Sequence, residues 1–367
     1  MKFTVDKETL LRQLQLVVGV VERRQTLPVL SNVLVKLEDN RLAITGTDLE
    51  VEILSQETLS DSGLVAGETT VPARKLLDIC RSLPDEAQLN FSTDNQRATI
   101  SSGRSRFTLA TMPANEFPSV DSGSGNLELE CPSEQIKYLI DKTAFAMAHQ
   151  DVRYYLNGML WEASKGQLRA VATDGHRLAM TTLEAPVGQA DKTQSILPRK
   201  GVVELSRLLG DQGQVVISLG DNHIRVKGEG FVFTSKLVDG AYPDYDRVLP
   251  KDGSLKIVGE VEGLKQAFGR TAILSNEKYR GVRLALTDNL LTMSATNPEQ
   301  EEAQEEVEVD YAGEPFEIGF NVNYILDVLN TLSSETVSFT LSGANSSALL
   351  EGEGDKDSVY VIMPMRL

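Results

Sequence analysis

Segments of this sequence recur 126 residues further along the chain, and this repeat constrains the possible folds more than any other feature. The matching pairs are the apolar segments beginning at Leu30 and Leu156, the dipeptides Thr47-Asp48 and Thr173-Asp174, Pro72 and Pro198, and the dipeptides Phe107-Thr108 and Phe233-Thr234. A third copy is fainter, with Tyr279 in the place of Tyr155 and Thr296 in the place of Thr173. Such a period predicts tandem copies of one folding unit, so we expect three domains.

The predicted domains cover residues 1–122, 127–248 and 254–367. The segments between them, near 119–128 and 248–256, contain the Gly, Ser and Pro residues that are typical of linkers. Apolar residues at helical spacing predict six helices, at 7–17, 74–83, 133–147, 199–209, 262–273 and 322–332. Alternating segments such as RLAITGTDLEVEI predict strands. The expected fold class is therefore α+β, with two helices against an antiparallel sheet in each copy.

The sequence lacks the common signatures of enzymes and membrane proteins. No run of eighteen apolar residues could span a membrane, and the N-terminal segment has no apolar core of a signal peptide, so we expect a cytoplasmic protein. Cys80 and Cys131 are 51 residues apart and the three histidines are widely spaced, which predicts neither a metal site nor a disulfide framework. Phosphate-loop and nucleophile motifs are missing. We therefore expect no cofactor, metal or catalytic residue.

Charge is distributed unevenly along the chain. The net charge of −17 alone argues against nucleic acid, because a DNA-binding surface needs cations. The six predicted helices, however, contain twelve Lys or Arg and seven Asp or Glu, a net charge of +5, so the remainder must carry −22. A basic inner face and an acidic exterior would suit a protein that encircles DNA. Ordinary solvated helix faces are the alternative explanation.

Two further segments have compositions that suggest contacts. Residues 149–155 combine an amide, a cation and two tyrosines, which can stack on bases, although Tyr155 could equally be half-buried core. Residues 299–310 contain seven acids and no base, and could form an interface or a solubilising edge strand. In the first copy, Arg104 and Arg106 lie beside Phe107 and Leu109, a cationic and apolar counterpart to the acidic segment.

The whole chain resembles the family of bacterial DNA polymerase III beta subunits. The resemblance rests on the collinear segments TLPVLSNVL, TGTDLE, TVPARK, GRSRFTL, AHQDVRYYLNGML, ATDGHRLA, FTSKLVDG, ILSNEKYRGVRL, TNPEQEE, IGFNVNY and VIMPMRL. It implies three repeated clamp domains per chain and a head-to-tail homodimer that forms a six-domain ring around double-stranded DNA. The implied function is that of a non-catalytic sliding clamp, a processivity factor that tethers the replicative polymerase.

The size of a DNA-enclosing ring independently favours two chains. A duplex roughly 20 Å wide needs a hole roughly 35 Å across, with a circumference of about 110 Å. Helices side by side occupy about 9 Å each, so roughly twelve would line the hole. One chain supplies six predicted helices.

The resemblance also implies three sets of functional residues. At the dimer interface, Phe107 and Leu109 should pack on Ile273 and Leu274, with Arg104 and Arg106 near Glu299, Glu301 and Glu302. We expect weak, sequence-independent DNA contacts from Arg24, Arg74, Gln150, Tyr154, Tyr155, Arg199 and Lys200. The implied peptide-binding cleft between the second and third domains consists of Leu156, Thr173, Gly175, His176, Arg177, Leu178, Pro243, Arg247, Val248, Asn321, Tyr324, Ser347, Val361, Met363, Pro364, Met365, Arg366 and Leu367.

Short linear motifs are the expected ligands of this cleft. The implied partners are the DNA polymerase III alpha subunit, the clamp loader, other DNA polymerases, ligase and mismatch-repair proteins. Tyr279 and Asn345 depart from the family pattern, where Phe and an aliphatic residue are usual, and could shift peptide preference.

Two other functions are compatible with parts of the sequence. A hydrolase could use Asp174 and His176, but no nucleophile or metal partner is nearby, and only one copy has the histidine. We interpret Asp174 as a turn or hydrogen-bonding residue and His176 as a wall of the cleft. A scaffold that binds proteins but not DNA would not need the basic helices.

Overall fold

The computed structural model describes residues 1–22, 27–60, 63–94, 96–120, 127–185, 192–250 and 253–366. Arg24 and Leu367, and parts of both predicted linkers, lie outside these residues. The chain divides into two compact units: unit 1 comprises Met1–Lys137 and Lys200–Leu237, and unit 2 comprises Tyr138–Arg199 and Val238–Leu367.

Unit 1 contains two antiparallel sheets. Its strands are β1 (Lys2–Asp6), β2 (Asn32–Glu38), β3 (Arg41–Thr47), β4 (Val51–Thr58), β5 (Gly67–Pro72), β6 (Gln88–Asp94), β7 (Arg97–Ser102), β8 (Ser105–Ala110), β9 (Leu127–Pro132), and, later in the chain, β14 (Gln214–Leu219), β15 (His223–Gly228) and β16 (Phe231–Lys236). Four strands form one sheet in the order β1-β6-β7-β8, and eight form the other in the order β5-β2-β3-β4-β16-β15-β14-β9. Unit 1 contains the helices α1 (Lys7–Val17) and α2 (Ala73–Ser82). Two further helices cross the boundary between the units: α4 (Arg199–Leu208) lies in unit 1 except for its first residue, and α3 (Ser133–Asp141) begins in unit 1 and ends in unit 2.

Unit 2 repeats this arrangement. Its strands are β10 (Gly158–Ser164), β11 (Gln167–Thr173), β12 (Arg177–Glu184), β13 (Thr193–Pro198), β17 (Leu255–Glu260), β18 (Gly281–Thr287), β19 (Leu290–Thr296), β20 (Glu302–Glu308), β21 (Phe316–Asn321), β22 (Thr336–Leu341), β23 (Ala348–Gly352) and β24 (Ser358–Ile362). The eight-stranded sheet has the order β13-β10-β11-β12-β24-β23-β22-β17, and the four-stranded sheet has the order β20-β19-β18-β21. Helices α5 (Val261–Thr271) and α6 (Val322–Thr331) pack on each other.

The sequence repeat corresponds to a repeat of elements. Strands β2 to β5 and helix α2 each begin 126 residues before β10 to β13 and α4. In the fainter third copy the offset is 123 residues: β18, β19, β21 and α6 begin that far after β10, β11, β13 and α4, respectively. The predicted α+β fold class, with two helices against antiparallel sheet in each copy, is therefore confirmed.

Local sequence explains where the first helix begins and which face it buries. The side chain of Asp6 accepts a hydrogen bond from the backbone N–H of Thr9 at 2.8 Å, which caps α1. Leu10, Leu14 and Val17 follow at helical spacing and are buried. The apolar stripe therefore faces the core, as the periodicity predicts.

One predicted helix was too long. The sequence predicted a helix over 133–147, but α3 ends at Asp141 and a short 3-10 turn covers Ala144–Ala146. The hydroxyl of Thr143 donates to the backbone oxygen of Leu139 at 2.7 Å. A buried β-branched residue with this side-chain-to-backbone bond lowers the preference for continued helix. The other five helices match their predictions to within two residues.

The two cysteines are free and buried. Burial raises the pKa of both Cys80 and Cys131 to about 12. Among the described residues, no group of three or more His, Cys, Asp or Glu could hold a metal ion. In that same part of the chain, every helix is too short or too polar to cross a membrane.

Candidate docking cleft and charged surfaces

A tight Thr-Asp turn between β11 and β12 forms one side of a cleft in unit 2. The Thr173 hydroxyl donates to the backbone oxygen of Arg177 at 2.6 Å. One carboxylate oxygen of Asp174 accepts the backbone N–H groups of His176 and Arg177, both at 2.9 Å. Gly175 has φ +89°, which a side chain rarely adopts. The interpretation of Asp174 as a hydrogen-bonding turn residue is confirmed.

The same turn occurs in unit 1. Thr47 donates to the backbone oxygen of Val51 at 2.9 Å, and Asp48 accepts the N–H groups of Glu50 and Val51. Leu49 takes the place of Gly175 at φ +80°. The turn therefore belongs to the repeated fold, and its aspartate has a structural task in both units.

The cleft is a cavity of about 160 Å³ with mainly apolar walls. Its lining residues are Arg153, Tyr155, Leu156, Thr173, Gly175, Arg177, Leu178, Pro243, Tyr245, Val248, Val361 and Met363. Leu178 and Val361 are direct neighbours on β12 and β24, and both belong to a buried cluster beneath the cleft. The floor is thus continuous with the packed core, which gives an apolar ligand a preformed surface.

Arg177 is held between two aromatic rings at the cleft. Its guanidinium carbon lies 4.5 Å from the ring centroid of Tyr324 and 5.3 Å from that of Phe145. The guanidinium also donates to the backbone oxygen of Phe145 at 2.8 Å and pairs with Asp174 at 3.2 Å and with Asp327. Only 12% of the side chain is exposed. Arg177 therefore shapes the cleft more than it offers free donors to a ligand.

The structure brings together half of the predicted cleft residues. Those that line the cavity are Leu156, Thr173, Gly175, Arg177, Leu178, Pro243, Val248, Val361 and Met363. Those described but not lining it are His176, Arg247, Asn321, Tyr324, Ser347, Pro364, Met365 and Arg366. His176 is exposed, and it is tied to the site through its backbone: its N–H donates to Asp174, and its oxygen accepts the N–H of Met363, both at 2.9 Å. His176 therefore does not line this cavity, and its place in the wall of a longer peptide-binding cleft stays a prediction.

A second cavity in unit 2 holds two of the remaining predicted residues. Met365 and Arg366 line this cavity of about 460 Å³ together with Asn276, Tyr279, Gly281, Arg283, Ser294, Ala295 and Thr296. The N–H of Met365 donates to the backbone oxygen of Gly319 at 2.7 Å, so this part of the chain is tied to β21. Tyr279 is 56% exposed here, whereas the exposed Asn345 lines neither cavity.

Sequence reasoning missed Tyr245 and Arg153 as cleft residues and assigned Tyr155 to DNA instead. Tyr245 lies between Pro243 and Val248, which were both predicted, so its position in the chain was the available signal. Tyr155 is half-buried and packs against the core cluster. Its ring centroid lies 6.0 Å from that of Tyr154, which is 59% exposed.

The predicted DNA-contact residues differ in whether their charged groups already have partners within the protein. In unit 1, Arg74 is exposed and donates to the backbone oxygen of Val21 at 3.2 Å. Lys200 instead pairs with Asp48 at 2.5 Å and Glu22 at 2.7 Å. Burial alone would lower the pKa of Lys200, but hydrogen bonds to these two carboxylates outweigh burial and raise it. Lys200 is therefore a charged residue whose charge is already compensated.

In unit 2, Gln150 is exposed and Arg199 is half-buried. Arg199 donates to the backbone oxygen of Met147 at 3.3 Å. Arg24 lies outside the described residues.

The residues predicted for the dimer interface lie on or near two edge strands. In unit 1, β8 is at the edge of its sheet, Arg104 and Arg106 are exposed, and Phe107 is half-buried. Leu109 is only 9% exposed, so it has little surface left for a partner.

In unit 2, β20 is also an edge strand. Ile273 is 75% exposed and Leu274 is half-buried. Glu299, Glu301 and Glu302 are exposed.

Three family descriptions match successive parts of the chain. They are the N-terminal domain of the DNA polymerase III beta subunit at residues 1–121, its central domain at 130–244 and its C-terminal domain at 246–366. The beta sliding clamp of Pseudomonas putida is 57% identical, and that of Escherichia coli K12 is 50% identical, each over 100% of both chains. A crystal structure of the sliding clamp from Pseudomonas aeruginosa bound to griselimycin is 57% identical, with a TM-score of 0.98 over 100% of both chains.

Proposed function

The chain belongs to the family of DNA polymerase III beta subunits, the beta sliding clamps, and from that premise we propose that it encircles duplex DNA as a homodimeric ring. As a member of this family it is a processivity factor and a non-catalytic subunit. The ring holds the replicative polymerase on its template by enclosing the DNA, in the cytoplasm where the bacterial chromosome lies. The observation that carries the proposal is the threefold repeat, in which each copy supplies two helices.

Enclosure fits the distribution of charge. Exposed cations such as Arg74 on α2 offer sequence-independent attraction to phosphates. We propose Arg24, Arg74, Gln150, Tyr154, Tyr155, Arg199 and Lys200 as the DNA-facing set, within clamp domains at 1–122, 127–248 and 254–367. Within this set we expect Arg74 and Tyr154 to contribute more than Lys200 and Tyr155, whose side chains are committed to partners in their own unit.

A topological experiment tests enclosure directly. The protein is loaded onto nicked circular plasmid with a clamp loader and ATP, and the complex is passed through a gel-filtration column. We expect the protein to elute with the plasmid, and to be lost when a restriction enzyme linearises the DNA, because a ring slides off free ends. Plasmid incubated without the loader is the control. Equal retention on circular and linear DNA would show binding by surface contact and would contradict the proposal.

The apolar cleft of unit 2 is the proposed docking site for partners. Its preformed apolar floor, with Met363 at the rim, suits short linear motifs with apolar side chains. We propose that the alpha subunit of DNA polymerase III, the clamp loader, other DNA polymerases, ligase and mismatch-repair proteins use it in turn. Griselimycin, which is bound to the related clamp of Pseudomonas aeruginosa, is expected to bind here also.

Opposite charges on two edge strands support a head-to-tail dimer. Strand β8 follows Arg104 and includes Arg106, while β20 includes Glu302 and three further glutamates. Each edge presents unpaired backbone groups that a second copy could complete by strand pairing. The exposed Ile273 adds apolar area beside β20.

A hydrolase centred on Asp174 is disfavoured by the geometry. One carboxylate oxygen of Asp174 accepts two backbone N–H groups, and the other pairs with Arg177. A carboxylate held by three donors and paired with an arginine is a poor general base, because its charge and most of its lone pairs are already engaged.

A further inference from the structure

A buried polar network lies behind the docking cleft, centred on the phenol of Tyr245. This residue lines the cleft but is only 3% exposed. Its hydroxyl donates to a carboxylate oxygen of Glu162 at 3.0 Å and accepts a hydrogen bond from the guanidinium of Arg169 at 2.9 Å. The network thus connects the cleft to the neighbouring strands β10 and β11, on which Glu162 and Arg169 lie.

Glu162 is the acceptor at the centre of the network. Its side chain is 6% exposed, and the same oxygen that binds Tyr245 also accepts from Gln194 and Lys192, both at 2.8 Å. Burial alone would raise the pKa of Glu162, but the hydrogen bonds from Lys192, Gln194 and Tyr245 outweigh burial and lower the pKa. The carboxylate is therefore ionised at neutral pH, which makes its hydrogen bonds strong.

The position of Tyr245 fixes the wall of the cleft. Tyr245 begins a 3-10 turn, and its backbone oxygen accepts the N–H of Val248 at 3.0 Å. Pro243 and Val248, on either side of it in the chain, both line the cleft. Lys192 and Arg169 lie 5.8 and 5.9 Å from the ring centroid, so the ring is held by cations as well as by its hydroxyl.

We propose that Glu162 is a positioning residue for the docking cleft: acting through the hydroxyl of Tyr245, it holds the segment from Pro243 to Val248 in the conformation that binds an apolar ligand. This inference depends on the proposed function of the cleft as a docking site. Glu162 is not among the residues that line the cleft, so it acts through Tyr245, which is. Its effect is preorganisation, because a wall that is already ordered loses less conformational entropy when a ligand binds.

A double-mutant cycle on the full-length protein tests the proposal, with griselimycin as the probe. Binding is measured by isothermal titration calorimetry for the unsubstituted protein, Glu162→Ala, Tyr245→Phe and the double variant. We expect each single substitution to weaken binding roughly tenfold, since each removes the hydrogen bond between the Tyr245 hydroxyl and Glu162. The double variant should be no weaker than either single one, because both act through the same bond.

Two controls separate a positioning role from a loss of stability. Glu204→Ala removes a buried glutamate of unit 1 that pairs with Arg207, so it should lower the melting temperature without changing the affinity for griselimycin. Tyr245→Phe retains the ring, and gives a reading even if Glu162→Ala fails to fold. Unchanged affinity in Tyr245→Phe, or additive losses in the double variant, would overturn the proposal.

A third variant distinguishes this inference from the proposed function itself. Met363→Glu places a charge on the cleft rim, where 37% of Met363 is exposed and folding should be preserved. If Met363→Glu binds griselimycin normally, the ligand does not use the cleft, and the docking function fails. If Met363→Glu loses binding while Tyr245→Phe retains it, the docking function stands and the role of Glu162 fails.

Discussion

At the scale of single residues, the Thr-Asp turn recurs in the repeat, but the side chain at its Asp position has different partners in the three copies. Asp48 and Asp174 both accept the two backbone N–H groups of their turn, but the remaining oxygen pairs with Lys200 in one unit and with Arg177 in the other. In the third copy Asn297 takes this place and accepts the N–H of Glu301 at 2.9 Å. The turn therefore keeps the same hydrogen bonds to the backbone in units 1 and 2, while the second carboxylate oxygen of its aspartate has a different partner in each.

The ionised state of Glu162 makes a prediction for acid stability. Its pKa in the folded protein lies below the ordinary value of 4.5, so its contribution to stability is complete above that pH and is lost as the pH falls through the lower, folded value. Glu162→Gln should therefore be less stable by about 1–2 kcal/mol at neutral pH, and this deficit should shrink below pH 4.5. Urea unfolding of both proteins at a series of pH values measures this difference in the free energy of unfolding.

The matched control is an exposed glutamate whose pKa is also lowered in the folded protein. The pKa of Glu38 is also lowered, by its hydrogen bond to Lys36, but this pair is open to solvent and screened. Glu38→Gln should change the stability little at any pH. A deficit in Glu162→Gln that stays constant from neutral to acid pH would rule out the ionised network.

At the scale of elements, cations from neighbouring helices complete the ends of two helices. Arg207 of α4 donates to the backbone oxygens of Gln15 and Leu16, in the last turn of α1, at 2.7 and 2.6 Å. Lys142, just after α3, donates to the backbone oxygen of Thr331, the last residue of α6, at 2.7 Å. Both cations lie at the negative end of the helix they contact, where they also offset its dipole.

Removing the first of these caps should loosen one helix end. Arg207→Ala leaves the last carbonyls of α1 without their donor and the buried Glu204 without its ion pair. We expect a loss of about 1–2 kcal/mol in the free energy of unfolding. Hydrogen exchange should accelerate in the last turn of α1. Lys75→Ala, at an exposed position of α2, is the control and should leave this exchange unchanged.

The sequence predicts elements better than it predicts pairings. The repeat predicts the copies, because it is visible by direct comparison of segments of the sequence. The apolar periodicity predicts five of the six helices, because it is a local pattern. The Thr-Asp turn is equally local, which is why the role of Asp174 was predictable. The ion pair of Lys200 with Asp48 joins residues 152 positions apart, and the bond of Tyr245 to Glu162 joins residues 83 apart. Nothing in the local pattern indicates such partners, so Lys200 was expected to be free and Tyr245 was missed.

At the scale of the whole molecule, assembly depends on surfaces that a single chain leaves unpaired. The proposed ring needs β8 of one chain to meet β20 of another, and these strands have opposite charges. We expect the apolar part of this contact to involve Phe107, Ile273 and Leu274 more than Leu109, which is buried in its own unit.

Truncation of the apolar contact should separate the chains without unfolding them. Ile273→Ala combined with Leu274→Ala removes exposed apolar area, most of it from Ile273, which is 75% exposed and adds little to the core of unit 2. Sedimentation velocity at micromolar concentration should show a folded monomer, with circular dichroism unchanged. Val65→Ala, at another exposed apolar residue, should remain dimeric. A dimer that persists in the double variant would place the interface elsewhere.

The buried state of the two cysteines has a practical consequence for observing this protein at work. With a pKa of about 12 and at most 4% of the residue exposed, neither Cys80 nor Cys131 offers a reactive thiolate. A new cysteine introduced on the surface can therefore be labelled with a maleimide dye while both native residues stay in place. Fluorescence experiments on single molecules can thus use the otherwise unaltered chain.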